Sequence, residues 1–365
     1  MNQFICQENV ITFDNTAAYE FSNTVSFLSI YILPILALTG NTLTLLVIFT
    51  NSHLNRSSFA VYVKCLAISD TSVLVFKFLS YQNKTSKHFY FPSFCTILIF
   101  FTEASVLLSI WTIVAITIER TFVVLLPLHQ KKFVSAHRAR MTILILTSII
   151  LIFSARVLII PIEQSENLGL RCRPKTNWIL YRKKNMTITE FGYCYIPLTI
   201  VIIGNLLTSC TVKRAFLRRH ALIETRNFQQ ERQVKCHENQ LTLMLLIVTL
   251  VFIVDFVPFT IMNIIARWGL PFNLCFTRKA FEIYTIVRSL CELLKDLNFC
   301  TNFLIYCLSG RRFRYAFYSL YKCRRHHLSP NSDHKQIPTY YTAKIDSQQK
   351  SGNSLTKANV KEAEL

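Results

Sequence analysis

CTILIFFTEASVLLSIWTIVAITIERTFVVLLPL, from Cys95 to Leu128, begins with a cysteine and closes on Glu119-Arg120 followed by Pro127-Leu128. Arg120 follows Cys95 by 25 residues, a rise of about 37 Å in an α-helix against a hydrocarbon core of about 30 Å. The cysteine is therefore expected at one membrane surface and the Glu-Arg pair at the other. A snorkelling interfacial pair would give the same pattern, so the rest of the chain has to decide what the pair does.

Composition agrees with a membrane chain. The 365 residues are 52% hydrophobic and 16% charged, with a mean hydropathy of +0.34, whereas a soluble chain carries about a quarter charged residues. Seven glycines and ten prolines exclude a fibrous or low-complexity protein. A formal charge of +20 would raise nucleic acid as a partner for a soluble domain. Here the basic residues cluster beside apolar stretches and in the tail, where anionic lipid is the counter-charge. The twelve cysteines form no zinc-spaced pairs. Met1 to Asn23 has neither a basic start nor a long apolar core, so the first helix is expected to act as signal anchor.

Seven apolar stretches are expected to span, at 27–49, 60–80, 93–126, 141–162, 191–212, 241–266 and 281–308. Residues 1–26 hold Glu8, Asp14 and Glu20 and no Lys or Arg, which puts them outside. The inner segments are basic, with Arg138 and Arg140 before helix four and Arg214, Arg218 and Arg219 after helix five. The outer stretch 163–190 is also basic and runs against this trend. Glu231 and Lys235, at i and i+4, predict that helix six starts in the cytoplasm. Lys64 and Lys77 are expected to snorkel from the ends of helix two. After Gly310, Phe313, Ala316, Phe317 and Leu320 fall on one helical face beside Arg311, Arg312 and Arg314, which predicts an interfacial amphipathic helix. The tail from His326 is polar and low in aromatics, hence expected to be disordered. The organisation expected is an outer N-terminus (1–26), a seven-transmembrane helix bundle (27–308), a short amphipathic eighth helix (309–323) and a disordered inner tail (324–365), in all an all-α membrane protein.

Four motifs in order make this architecture specific. They are Gly40-Asn41; Leu66-Ala67-Ile68-Ser69-Asp70; Cys95 through Glu119-Arg120-Thr121; and the pair Phe252-Ile253-Val254-Asp255-Phe256-Val257-Pro258 with Asn302-Phe303-Leu304-Ile305-Tyr306. Together with Pro197 they resemble rhodopsin-like G-protein-coupled receptors, and the end of helix seven resembles invertebrate neuropeptide receptors of the FMRFamide-receptor-like branch. Five positions depart from the family pattern: Thr121 for Tyr, Asp255-Phe256 for Cys-Trp, Phe303 for Pro, and no tryptophan in helix four.

The resemblance implies residue roles. Glu119, Arg120, Phe256, Pro258, Asn302 and Tyr306 would form the G-protein-coupling switch. Asp70, Ser109, Asn298 and Asn302 would form a polar pocket for a sodium ion, the competing reading being a hydrogen-bonded network without an ion. Cys95 and Cys172 would be bridged outside, and Cys6–Cys275 is an open second pairing. Glu103, Arg288, Glu292 and Asp296 lie in the outer halves of helices three and seven, where they either line a ligand cavity or pair internally. Thr102 stands where amine receptors of the family carry an Asp, which favours a short peptide over a small amine. Asn83 and Asn185 head glycosylation sequons, and Cys323 is a palmitoylation candidate. The expected protein is a plasma-membrane receptor with its N-terminus outside. It is expected to be no enzyme and to need no cofactor beyond sodium. Its partners would be a peptide, a heterotrimeric G protein, membrane lipid and, through the tail, an arrestin-like protein. Three rivals are a non-signalling scavenger receptor, a transporter or channel with repeated halves, and a light receptor. The last would need a Schiff-base lysine at the position of Asp296.

Overall fold

Where the sequence predicts seven spans, the computed structural model has seven long helices among the described residues. The structure describes residues 17–85, 92–126, 134–159, 162–163, 173–174, 181, 187–221, 229–268, 278–310 and 313–320. Helix one is Ala17–Thr50, helix two Ser58–Thr85, helix three Pro92–Leu125 and helix four Ala136–Ser154 with a 3₁₀ turn, Ala155–Ile159. Helix five is Phe191–Tyr195 and Ile196–Ala221, helix six Gln229–Trp268 and helix seven Arg278–Ser309. Six of them are long and apolar enough to cross a membrane. Helix seven is excluded by the charges it carries, which include Arg288, Glu292, Lys295 and Asp296.

Local chemistry explains the boundaries. Helix one starts ten residues before the expected 27, and this extension is tied to helix seven through the Ser22 and Ser289 hydroxyls, 2.8 Å apart. Helix four starts at Ala136 rather than 141 because the Ser135 hydroxyl accepts the Arg138 N–H at 3.2 Å. That cap lies outside the apolar run by which the span was placed. Helix six starts at Gln229, ahead of its apolar run, as the Glu231–Lys235 spacing predicts. Both π turns among the described residues, Leu28–Ile32 and Phe191–Tyr195, end two residues before a proline, Pro34 and Pro197. Each proline removes the donor for the carbonyl four residues earlier, and the wider turn absorbs the mismatch. The expected outer loop after helix four forms a two-stranded antiparallel ribbon, β1 (Ile162–Glu163) with β2 (Arg173–Pro174).

In hydrocarbon, burying an apolar side chain gains little, so close backbone approach and polar contacts hold the helices together. Helices three and five show this. A Cβ on Gly204 would sit 2.5 Å from Thr117 Cγ2 and 3.2 Å from Thr121 Oγ1. That closeness lets the Thr121 hydroxyl reach Gly204 O at 3.3 Å and Thr208 Oγ1 at 3.2 Å. At the inner end of helix seven, Gly310 passes so near Met244 of helix six that a Cβ would lie 2.6 Å from its sulfur. The chain then turns into a helix over residues 313–320, with Phe313 and Ala316 buried and Tyr315 and Tyr318 exposed. Arg314 donates to Cys307 O at 3.0 Å and Leu308 O at 2.6 Å, capping helix seven. Residues up to Tyr318 pack as one unit; Ser319 onward is a second unit, of which only residues 319–320 are described.

Gly204→Ala is expected to lower the thermal midpoint of the purified protein, by overpacking worth about 1–3 kcal/mol. Thr117→Ser removes the methyl that the new Cβ would meet and should restore most of the loss. An unchanged midpoint in the single variant would show that helices three and five separate without cost.

Candidate functional site

Three polar layers run through the bundle. The innermost holds Glu119 and Arg120 at the end of helix three, with Arg120 Nη2 2.9 Å from Glu119 Oε1. The same oxygen accepts the hydroxyl of Ser58 on helix two at 2.9 Å. Both charged side chains are about nine-tenths buried (11% and 9% exposed). Beside Arg120 lies a cavity of about 10 Å³, lined also by Thr117, Asn205, Thr208, Leu245 and Thr249, space for about one water. Asn205 of helix five accepts the Thr249 hydroxyl of helix six at 2.7 Å, and its Nδ2 is buried without a partner among the described residues. Sequence reading gave no role to Asn205, Thr208 or Thr249. Polar residues recurring through helices five and six at that depth were the available signal.

The middle layer centres on Asp70, fully buried. Its Oδ1 accepts the Ser109 hydroxyl and its Oδ2 accepts Asn302 Nδ2 at 2.7 Å, joining helices two, three and seven. Asn41 adds helix one by donating to Thr71 Oγ1 at 3.0 Å and Phe299 O at 3.3 Å. Asn298 is buried in the same layer and its Nδ2 has no partner among the described residues. One carboxylate with a hydroxyl and amide oxygens is a donor set that fits a sodium ion. Turning the Asn298 amide would add its oxygen to that set. Next to this layer Phe256 is fully buried, its ring centroid 4.4 Å from Phe252 and 6.5 Å from both Phe259 and Phe299. Helix six runs through Pro258 without leaving the α form. Asp255, 8% exposed, has no ion pair or hydrogen bond among the described residues. Tyr306 is 1% exposed and packs edge-on against Phe59 of helix two.

In the outer layer the expected ligand-binding carboxylates are all paired. Glu103 Oε1 is 2.5 Å from Arg156 Nη2, and that nitrogen also donates to Thr189 Oγ1 at 2.5 Å. The Arg156 guanidinium stacks 3.7 Å from the Phe153 ring centroid. Arg288 Nε is 3.1 Å from Glu292 Oε1, and its Nη1 is 3.1 Å from the Tyr284 hydroxyl. Asp296, its side chain 2% exposed, accepts Lys77 and the Ser29 hydroxyl (2.5 Å) on Oδ2, while Lys295 Nζ lies 3.5 Å from Oδ1. Lys77 thus turns inward instead of snorkelling. The signal was in the spacing: seven residues past Asp70, it points within about 20° of the Asp70 direction on a 3.6-residue helix. Lys64 donates to Asn55 Oδ1 at the inner end. Arg156 and Lys295 were also without assigned partners in the sequence reading.

Cys95 is disulfide-bonded. Its expected partner Cys172, with Cys6, Cys275, Asn185 and Cys323, lies outside the described residues. Asn83 does not fit its glycan role. It sits in the last turn of helix two, 4% exposed, and its Nδ2 donates to Cys95 Sγ at 3.1 Å. The nitrogen a glycan would need is turned into the helix two–helix three contact.

A family model described as 7 transmembrane receptor (rhodopsin family) matches residues 40–306. Galanin receptor 2a of Danio rerio is 22% identical over 317 residues, covering 86% of this chain and 83% of that protein. The QRFP-like peptide receptor of Branchiostoma floridae is 24% identical over 326 residues, 85% and 80% of the two chains. The GQ-coupled rhodopsin of Mizuhopecten yessoensis is 25% identical over 303 residues, 79% of this chain and 58% of that one.

Removing one partner of the Lys77–Asp296 pair leaves a charge stranded in the bundle, a loss of about 3–5 kcal/mol for a fully buried pair. Lys77 is one-third exposed, so Lys77→Met should fall at or below the lower end. Surface expression and thermal stability are expected to drop in Lys77→Met and in Asp296→Asn, and to recover in the double variant. Additive losses would show that the two side chains act apart.

Proposed function

The chain belongs to the 7 transmembrane receptor (rhodopsin) family, and from that premise we propose that it is a neuropeptide receptor that couples an outer ligand to a heterotrimeric G protein. The observation that carries this reading is Arg120. Its guanidinium is tied to Glu119 at 2.9 Å and stands beside a small cavity between helices three, five and six that Thr117, Asn205, Thr208 and Thr249 line together with Ile116, Leu245 and Leu246. A cation held by one acid at the inner membrane surface is a contact that a bound partner can exchange for its own acceptors. Ligand binding outside then shifts the population toward the exchanged form by its differential affinity for the two.

Glu119, Arg120, Phe256, Pro258, Asn302 and Tyr306 make up the switch in this proposal. Glu103, Arg288, Glu292 and Asp296 line the outer cavity, where polar groups of a peptide compete with the internal pairs. The peptide class rests on the names of the galanin and QRFP-like receptors and on Thr102, a neutral residue where an amine's counter-ion would stand. Asp70, Ser109, Asn298 and Asn302 would hold a sodium ion, which supplies a positive charge balancing Asp70. Residence in the plasma membrane with the N-terminus outside, an arrestin-like partner for the tail, and the lack of enzymatic activity belong to the same reading. The rhodopsin among the relatives raises the light-receptor alternative. Against it, the lysine position on helix seven holds Asp296, whose carboxylate is engaged by Lys77.

Cells expressing the chain are to be screened with a peptide library, reading calcium and cyclic nucleotide. A peptide response in the dark without added retinal is expected, and it should vanish in Arg120→Ala at equal surface expression. Binding and internalisation without a second-messenger change would identify a scavenger instead. An epitope at Asn2 should stain on intact cells and one at Leu365 only after permeabilisation; tail staining on intact cells would reverse the topology.

A further inference from the structure

Helix seven carries two polar faces, and with Lys77 of helix two they hold three cations to two carboxylates. Ser289 and Asp296 point to helix one, where they meet Ser22 at 2.8 Å and Ser29 at 2.5 Å. Tyr284, Arg288, Glu292 and Lys295 fall at i, i+4, i+8 and i+11, a single stripe on a 3.6-residue helix. Within that stripe Glu292 neutralises Arg288 at 3.1 Å. On the other face Lys77 neutralises Asp296. Lys295 is left over: two ammonium groups share the one carboxylate of Asp296, and Lys295 holds the weaker contact at 3.5 Å.

The Lys295 ammonium makes no hydrogen bond among the described residues. It lies 4.4 Å from the centroid of the Phe259 ring of helix six, and its side chain is 22% exposed. Phe259 belongs to a buried cluster with Cys194 of helix five, Met262 of helix six and Cys291 of helix seven, against which Tyr193 and Tyr284 pack. Lys295 therefore presents three donors at the edge of an apolar, aromatic wall between helices five, six and seven. Glu292 is held by Arg288, and Asp255, one helical turn below Phe259, makes no ion pair among the described residues.

We infer that Lys295 is the anchor for a carboxylate on the ligand, carried next to an aromatic or apolar group that packs on the Phe259 cluster. This rests on reading the outer half of the bundle as the ligand cavity, and it names the cation in that cavity with the weakest internal contact. Its carboxylates Glu103, Glu292 and Asp296 already have cationic partners, whereas the Lys295 ammonium holds only the longer contact to Asp296 and no hydrogen bond among the described residues. An ammonium over an aromatic face keeps its charge at modest gain. A carboxylate adds a charge-assisted hydrogen bond where solvent is partly excluded. The carboxylate can be a peptide's free C-terminus or the side chain of an Asp or Glu.

The test uses small probes on the purified full chain in detergent, and so does not depend on finding the natural peptide. N-acetyl-phenylalanine presents a terminal carboxylate beside a ring. N-acetyl-aspartate α-amide presents a side-chain carboxylate. N-acetyl-phenylalaninamide is the neutral control. At least one acid is expected to raise the thermal midpoint in a saturable way that the neutral amide does not, and which acid does so identifies the source. In Lys295→Gln and Lys295→Met the apparent affinity for that acid should fall by about tenfold to a hundredfold, the range of one charge-assisted hydrogen bond, whereas Lys295→Arg should keep the preference for acid over amide. Three outcomes overturn the inference: no shift with either acid, an equal shift with the neutral amide, or a shift unchanged in both charge-removing variants. The peptide screen fails or succeeds separately: peptides that activate equally well on the wild type and on Lys295→Gln would leave the receptor reading standing and remove the carboxylate anchor.

Discussion

A charge inside a membrane span must find another polar group inside the protein, because hydrocarbon offers none. The arrangement of this bundle follows from that constraint. Lys77 and Lys295 meet on Asp296, Arg156 meets Glu103, Arg288 meets Glu292, and Arg120 meets Glu119. Asp70, with no cation at hand, is satisfied by a hydroxyl and an amide. The Lys77–Asp296 and Arg156–Glu103 pairs and the two Asp70 hydrogen bonds cross between helices that are far apart in sequence, whereas the other pairs lie within one helix. Helix seven is joined to helix one through Ser29 and to helix two through Lys77 and Asp70; helix three is joined to helix four through Arg156. Apolar packing is nearly indifferent to which helix faces which when the alternative is lipid. The polar pairs choose among those arrangements.

The same constraint separates what could be read from the sequence and what could not. The number, order and approximate place of the helices follow from apolar length for six of them and from the motif at its end for helix seven, and all of them stand among the described residues. Asp70, Ser109 and Asn302 were grouped by motif, and they do meet. Ends were harder, since a cap such as Ser135 or an extension such as Ala17–Ser26 lies in polar sequence that hydropathy does not count. Partners were hardest. Glu103 and Arg156 are 53 residues apart, and nothing in either stretch names the other. Lys77 is the instructive miss. Hydropathy placed it near a helix end and implied snorkelling, while the angular position it shares with Asp70 already pointed it inward.

Pairing also bears on how the outer layer can work. A paired carboxylate is available to a ligand only if the ligand replaces its partner, and the replacement returns little more than it breaks. Lys295, held only by its 3.5 Å contact, gives up less when a ligand replaces its partner. The distinction between paired and leftover is invisible in a list of charged residues and appears only when distances are compared, as between the hydrogen-bonded Lys77 and Lys295 at 3.5 Å on the same carboxylate.

The departures from the family motifs have a common form once contacts are considered in place of letters. Phe303 stands where a proline is usual. It packs with its Cβ close to the bare backbone of Gly40, and its ring meets Phe313 and Phe317 of the eighth helix at 6.1 and 5.6 Å. Phe256 replaces a tryptophan and is still fully buried among Phe252, Phe259 and Phe299. Phenylalanine has no indole N–H to satisfy there, so the smaller ring leaves no donor stranded. Thr121 replaces a tyrosine and reaches helix five by its hydroxyl, which Gly204 permits by lacking a side chain. In each case the side chain has changed while a helix-to-helix contact is made at the same place, with a glycine or a phenylalanine opposite to receive it. A bundle stabilised by local fit and internal pairing tolerates such exchanges if the receiving surface matches. The altered letters at these positions therefore do not by themselves argue for a different fold or for a lost switch.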